Sequence, residues 1–177
     1  MDNLMHHEEL VKKLIELDRE VALLYEKDER LHCVIVGGSA LILLGCITRA
    51  THDIDVVKCS NEIRNLLEQY GFNERVQTYI NNFPYDFEDR FIKLDIPTER
   101  VDFYTASLED VVVAKLHSFR DNDWADVTYP DLVAKIDWEL LDKCAKESEK
   151  SALNESSYKD FLLRYEDYVR RCKPCDG

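Results

Sequence analysis

Apolar residues follow two patterns along the chain, helical spacing and short continuous runs, and these predict the order of its helices and strands. Residues 3–28 carry apolar side chains every three or four positions, which predicts an amphipathic N-terminal helix. Residues 31–36, LHCVIV, form a continuous apolar run that ends in a Gly-Gly pair, which predicts a buried strand and a turn. Helical spacing resumes near Ser39, and DIDVVK at 53–58 predicts the next strand.

The rest of the chain alternates between helical and extended patterns in the same way. We expect a helix from Ser60 to about Tyr70, strands near 76–80, 90–96 and 100–104, a helix from Ser107 to about Arg120, a polar turn over 120–127, and helices over 130–146 and 155–171. The strands on either side of Pro97-Thr98-Glu99 are predicted to form a hairpin.

This order of elements predicts an α+β (α/β) fold. We expect a mixed β-sheet flanked by helices in a core domain of residues 1–130. A small C-terminal helical part, residues 131–177, is predicted to pack on that core. The length of 177 residues is enough for this arrangement.

Composition indicates the cellular compartment in which we expect the protein. No apolar run is long enough to cross a bilayer, and the N-terminus lacks a signal-peptide core, so we expect a cytoplasmic protein with no membrane partner. Six cysteines are present, and Cys172 and Cys175 form a C-x-x-C near the end of the chain. This pair has no two further zinc ligands nearby, and either a metal or redox role or a tail with free thiols stays open.

The formal net charge of −13 limits how this chain can bind a polyanion. Its overall field does not attract phosphate groups. A nucleotide or nucleic acid must therefore bind through a local basic group or through metal ions.

Two carboxylates in the second predicted strand suggest such a metal site. Asp53 and Asp55 are two residues apart, so in a strand their side chains project to one face about 6.6 Å apart. Such a pair is costly unless a cation lies between them, and Mg²⁺ (or Mn²⁺) prefers oxygen ligands that it shares with phosphates. A two-metal site usually takes a third carboxylate, for which Asp102 is our candidate and Asp95 the reserve.

The glycine turn after the first strand complements this site. Backbone N–H groups of Gly37 and Gly38 at a helix start favour a phosphate, and the Ser39 hydroxyl can donate one more hydrogen bond. Each motif alone also has an ordinary structural explanation, a tight turn or a solvated strand edge. Their combination within one segment is much more specific.

The segment VGGSALILLGCITRATHDIDVV resembles the signature of the DNA polymerase β-like nucleotidyltransferase superfamily. The resemblance rests on Gly38-Ser39, thirteen intervening residues, and then Asp53-Ile54-Asp55. Within that superfamily the segment is most similar to bacterial abortive-infection nucleotidyltransferases (AbiEii-type), which include the toxins of type IV toxin–antitoxin systems. Arg49 and Thr51 fill the R-x-[ST]-x-D-x-D part of that signature.

A second block, AKLHSFRDNDWADV, is also similar to these proteins. There a helix carrying Lys is followed by an Arg-x-x-Asp-x-x-Asp turn, and the matching residues are Lys115, Arg120, Asp123 and Asp126. Without the resemblance, Lys115 is equally explained as a surface lysine whose stem packs along the helix, and the other three as an ion-pair cluster at a helix end.

The resemblance implies metal-dependent transfer of a nucleoside monophosphate from an NTP to a hydroxyl acceptor, such as tRNA or a protein, in a toxin-like defence protein with a cognate antitoxin. It implies these roles: catalysis and metal binding by Asp53, Asp55 and Asp102; nucleotide binding by Gly37, Gly38, Ser39, Arg49, Thr51, Lys115 and Arg120; and support by Asp123 and Asp126. The alternative is a catalytically degenerate binding or regulatory module on the same fold, since one sequence does not fix the third carboxylate.

Overall fold

The computed structural model of the chain describes residues 4–26, 29–74 and 80–175. Within these ranges the α-helices are His7–Leu24 (α1), Gly37–Leu43 (α2), Asn61–Arg64 (α3), Leu108–Ser118 (α4), Asp123–Val127 (α5), Pro130–Lys135 (α6), Trp138–Glu147 (α7) and Glu155–Cys172 (α8). The strands are Leu31–Val36 (β1), Ile54–Cys59 (β2), Phe72–Asn73 (β3), Ile92–Lys93 (β4) and Val101–Thr105 (β5).

The strands form one mixed sheet in the order β3-β2-β1-β5-β4. The central strand β1 runs antiparallel to β2 and parallel to β5, and its last four residues are buried. The predicted hairpin is present, since β4 pairs antiparallel with β5. These features confirm the predicted α+β class with a mixed sheet.

Contacts divide the chain into two compact units. The first contains Met1–Gln77 and Phe91–Ala106, which hold the sheet and α1 to α3. The second contains Thr78–Arg90 and Ser107–Gly177, which hold α4 to α8. These units are defined by contacts and do not follow the boundary expected after residue 130. That domain boundary stays a prediction.

In the first unit, buried Asp18 of α1 fixes the start of β5. Its carboxylate accepts hydrogen bonds from the backbone N–H groups of Glu99, Arg100 and Val101, at 2.8 to 2.9 Å. These three groups precede or begin the strand, and the carboxylate satisfies them where no neighbouring strand does. The helix therefore sets where β5 begins beside β1.

In the second unit, helix starts and stops follow the local sequence. The Ser107 hydroxyl caps α4 by accepting a hydrogen bond from the Asp110 N–H at 3.1 Å, as the sequence predicts. The helix ends at Ser118, because Phe119 adopts a left-handed conformation with φ of 46°. Further along, extended Ile136 and the capping residue Asp137 divide the segment predicted as one helix over 130–146.

Three other elements differ from expectation. The helix after Ser60 ends at Arg64, and only a short 3-10 turn at Glu68–Tyr70 precedes Gly71. The expected polar turn over 120–127 contains helix α5, and the strand expected over 90–96 is paired only at Ile92–Lys93. The strand expected near 76–80 falls mostly on residues outside the described ranges.

No helix in the described ranges combines the length and the apolar character that crossing a bilayer requires.

Candidate functional site

The glycine turn lies where buried β1 ends. Val36 is the last residue of the strand, and Gly37 has a φ of 70°, a conformation that side-chain-bearing residues rarely adopt. Helix α2 begins at Gly37, two residues earlier than expected from the sequence. The turn therefore reverses the chain at once from strand into helix.

The Asp55 carboxylate packs directly against this turn. Strand pairing places Asp55 opposite Val36, and a Cβ atom on Gly37 would lie only 2.6 Å from Asp55 Oδ2. A Cβ on Gly38 would lie 2.5 Å from Nη2 of Arg49. The missing side chains of the two glycines therefore give room to a carboxylate and a guanidinium, beside the backbone that was predicted to face a phosphate.

The Ser39 hydroxyl joins the two strands at the same point. It donates to the Val36 carbonyl at 3.0 Å and accepts from the Asp55 N–H at 3.3 Å, and the residue is only 1% exposed. The second hydrogen bond holds the backbone of Asp55, and the first ties the same hydroxyl to the end of β1. This joining role differs from the predicted contact between the hydroxyl and a phosphate.

Asp53 is the exposed member of the pair. It precedes Ile54, the first residue of β2, and it lines a cleft of about 620 Å³ whose other lining residues are Arg64, Leu67, Glu68, Gly71, Phe72, Asn73 and Glu74. The Thr51 hydroxyl donates to the Asp53 carbonyl at 3.2 Å, and Thr51 also bridges to the backbone of Met5. Thr51 therefore shapes the segment that carries Asp53 into the strand.

Asn73 is a site residue that sequence reasoning missed. Strand pairing places it opposite Asp55 in β3, its Nδ2 donates to Asp55 Oδ1 at 3.4 Å, and it lines the cleft beside Asp53. The sequence gives little signal for it, because β3 has only two residues and shows no alternating pattern. Only the pairing of β3 with β2 reveals the contact.

Asp102 does not lie beside the Asp53–Asp55 pair, and that expectation is wrong. On β1, the residue opposite Asp102 is His32, whereas the residue opposite Asp55 is Val36. Four residues of strand correspond to about 13 Å. The reserve candidate Asp95 follows β4, which β1 and β5 separate from β2 in the sheet.

Asp102 instead belongs to an ion-pair cluster. Its Oδ1 accepts hydrogen bonds from Nε and Nη2 of Arg30, at 2.8 and 2.6 Å, and lies 3.0 Å from Nζ of Lys93. The hydrogen bonds from Arg30 lower the pKa of Asp102 more than partial burial raises it. The carboxylate therefore stays charged and pairs with two cations near the start of β5.

With Asp102 placed elsewhere, few candidate metal ligands remain near Asp55. Within the described ranges, no group of three or more His, Cys, Asp or Glu side chains is arranged to hold a metal ion. Among the residues that the structure describes, Asp53 and Asp55 therefore stay two candidate ligands with no third side chain arranged beside them to complete a metal site. Mg²⁺ is often held by one or two carboxylates together with substrate phosphates, and these residues fit an ion of that kind.

Lys115 belongs to a buried ion-pair cluster in the second unit. The residue is 5% exposed, and its Nζ lies 2.7 Å from Asp123 Oδ1 and 2.9 Å from Asp126 Oδ2. A surface lysine that extends into solvent is therefore excluded. The ammonium group is held between two carboxylates that are themselves buried.

The second oxygen of Asp123 completes this cluster. Oδ2 accepts from the Ser118 hydroxyl at 2.7 Å and from the Arg120 backbone N–H at 2.8 Å. Burial acts to raise the pKa of Asp123, but Lys115 and these hydrogen bonds lower it overall. The Arg120 side chain is 61% exposed, with Nε 3.6 Å from the same oxygen.

Comparison with known proteins gives one match. A family model described as "Nucleotidyltransferase of unknown function (DUF6036)" matches residues 12–173, and so includes residues of both units. No curated protein and no solved structure gives a significant match.

Proposed function

The chain belongs to this family of nucleotidyltransferases, and from that premise we propose that it transfers a nucleoside monophosphate from an NTP to a hydroxyl acceptor, with pyrophosphate as the leaving group. The observation that carries the proposal is the packing of the Asp55 carboxylate against the turn at Gly37. It places an acidic group beside backbone N–H groups at the end of a strand. This combination suits a phosphate chain that arrives with a bound cation.

Arg49 is the proposed cationic contact for the phosphates. Its guanidinium packs on Gly38, and the residue is exposed at the surface of the first unit. Guanidinium groups bind phosphate oxygens through paired, charge-assisted hydrogen bonds. Thr51 supports the same segment through its bond to the Asp53 carbonyl.

Asp53 and Asp55 are the proposed ligands of Mg²⁺ or Mn²⁺. An ion held by these two carboxylates would supply charge neutralisation for the phosphates and for the departing pyrophosphate. Since Asp102 lies elsewhere, deprotonation of the acceptor hydroxyl falls to Asp53, which faces the cleft. The cleft is the proposed place for the acceptor, either a tRNA end or a protein hydroxyl.

Label transfer tests this proposal. We would incubate the protein with each NTP, labelled at the α-phosphate, in the presence of Mg²⁺ and either a tRNA pool or a protein extract. We expect label in one acceptor class, and its loss with Asp55→Asn, Asp53→Asn or a metal chelator. No transfer to either class, together with no Mg-dependent NTP binding, would refute the proposal.

A toxin-like defence role extends this proposal and rests on the sequence resemblance. Expression of a toxin should arrest growth, and Asp55→Asn should relieve the arrest. A neighbouring gene whose product restores growth would be the antitoxin. Equal growth arrest by both forms would separate toxicity from transfer chemistry.

A catalytically degenerate binding module is the second candidate. The placement of Asp102 with Arg30 and Lys93, away from Asp55, favours it because the predicted third carboxylate is lacking. Such a module would bind an NTP without transferring label. Its cellular effect would survive Asp53→Ala.

A further inference from the structure

Asp55 has a different neighbour at each of its two carboxylate oxygens. Oδ2 faces the glycine turn, where a Cβ on Gly37 would come within 2.6 Å. Oδ1 accepts a hydrogen bond from Nδ2 of Asn73, which lies directly opposite in β3. The carboxylate is therefore held between a turn on one side and a side-chain amide on the other.

The chemistry of an amide suits this position. An amide N–H stabilises a carboxylate without adding charge, and it limits the rotation of the carboxylate group. An acid opposite Asp55 would instead place two like charges face to face, which destabilises a strand pair. With Asp102 about 13 Å away along the sheet, Asn73 is the polar partner that strand pairing brings to Asp55.

We propose that Asn73 is a positioning residue, whose side-chain NH₂ group keeps the Asp55 carboxylate turned toward the glycine turn. The consequence for nucleotide binding rests on the function proposed above. The contact itself does not depend on that function. The two parts are therefore tested separately.

The contact is tested by thermal unfolding without ligand. Asn73→Ala removes the donor, whereas Asn73→Asp removes it and adds a negative charge. We expect Asn73→Asp to lower the melting temperature more than Asn73→Ala, and this order to vanish or reverse when Asp55→Asn is also present. An order that does not depend on residue 55 would overturn the contact.

Asn61 of α3 provides the matched control. It is exposed and does not line the cleft. Asn61→Ala and Asn61→Asp should shift the melting temperature equally with and without Asp55→Asn. A dependence on residue 55 as large as that of the Asn73 variants would mean that long-range charge, and not the amide contact, explains the result.

The functional part is tested with Mg²⁺ and the α,β-methylene analogue of each NTP. We expect Asn73→Ala to weaken binding about tenfold, the usual effect of losing one hydrogen bond to a charged group, and Asn73→Asp to weaken it further. If Asn73→Asp binds the analogue as tightly as wild type, the hydrogen bond that Asn73 donates does not position the Asp55 carboxylate for binding. If the wild type binds and both variants bind equally well, the functional part fails while the proposed function stands. If the wild type binds no analogue, the functional part and the proposed function both fail, and thermal unfolding still decides the contact.

Discussion

The two groups of charged residues in this protein use similar side chains in opposite ways. In the first unit, Asp53 is exposed and lines a cleft, and Asp55 is half-buried against the glycine turn. In the second unit, Lys115 and its partners Asp123 and Asp126 are buried, and the one ammonium group lies between the two carboxylates. The first group has surface from which to bind a ligand, whereas the second is enclosed by protein.

This difference indicates ligand binding for the first group and structural support for the second. A buried ion pair contributes little net stability compared with apolar packing, but removing one partner leaves a charge without compensation. Exposed carboxylates impose no such cost when they are neutralised. Neutralising Lys115 should therefore affect mainly folding, whereas neutralising Asp53 or Asp55 should affect mainly ligand binding.

The largest expected effect comes from Lys115→Met. It leaves two buried carboxylates without their cation, so the free energy of unfolding should fall by about 3–5 kcal/mol. Urea unfolding at pH 7 measures this change. The control is Lys146→Met, which removes an exposed i,i+4 pair with Asp142 and should cost no more than about 0.5 kcal/mol. Equal effects of the two substitutions would show that burial gives the Lys115 cluster no special weight.

Gly37→Ala should have the next largest effect. The left-handed backbone costs a side-chain-bearing residue about 1 kcal/mol, and the overlap with Asp55 Oδ2 adds at least as much, giving a loss of about 2–3 kcal/mol. Gly71→Ala is the matched control, since its φ is 79° but no atom lies within 4 Å of the added Cβ. Chemical denaturation compares the two. A similar loss in both would show that the contact between Asp55 and the turn carries no weight.

Acid should destabilise the second unit through His117. Burial, with a smaller contribution from Arg164, lowers the pKa of His117 to about 4. Between the unfolded pKa of about 6.5 and this value, the unfolded chain takes up a proton that the folded chain refuses. Stability is therefore complete above about pH 6.5 and declines as the pH falls toward 4.

At pH 5 this decline should amount to about 1–2 kcal/mol relative to pH 7. The imidazole stacks on Phe161 with ring centroids 3.9 Å apart, and its Nε2 lies 3.0 Å from the Ser148 hydroxyl. His117→Gln cannot take up the proton and should flatten the curve over this range. Denaturation at several pH values measures both curves, and an unchanged slope in the variant would contradict the assignment.

The smallest effect is expected for Asp102→Asn. It weakens the cluster with Arg30 and Lys93, so the free energy of unfolding should fall by no more than about 1 kcal/mol. Because Asp102 lies far from Asp55 along the sheet, binding of the Mg-nucleotide should remain within about twofold of wild type. A loss of a hundredfold or more would restore Asp102 as a metal ligand.

Sequence patterns predicted the central strand and the last helix well for a physical reason. The core strand at 31–36 and the last helix over 155–171 match the structure to within about a residue, because continuous or periodic apolar residues define them. The short elements were less predictable. Helix α5 has five residues, too few to show a period, and it is held by the buried cluster around Lys115.

Within the site, the contacts that a local motif determines were predictable, and those that strand register determines were not. The local motifs brought Asp55 and Gly37 together because both lie beside one strand connection. The positions of Asp102 and Asn73 depend on the register of β5 and β3, and register is a property of strand pairs that no single segment encodes. The wrong candidate and the missed residue have this common cause.

Binding of the α,β-methylene analogue of each NTP, with Mg²⁺, to wild type and Asp55→Asn tests the central claim most directly. A ligand that binds only the folded state raises the melting temperature, and at 100 times its dissociation constant it stabilises by about 2.7 kcal/mol. We predict this shift for wild type, and little or none for Asp55→Asn with its unliganded stability preserved. Equal shifts in both proteins, or none in either, would contradict the claim that Asp55 and the glycine turn form a nucleotide site.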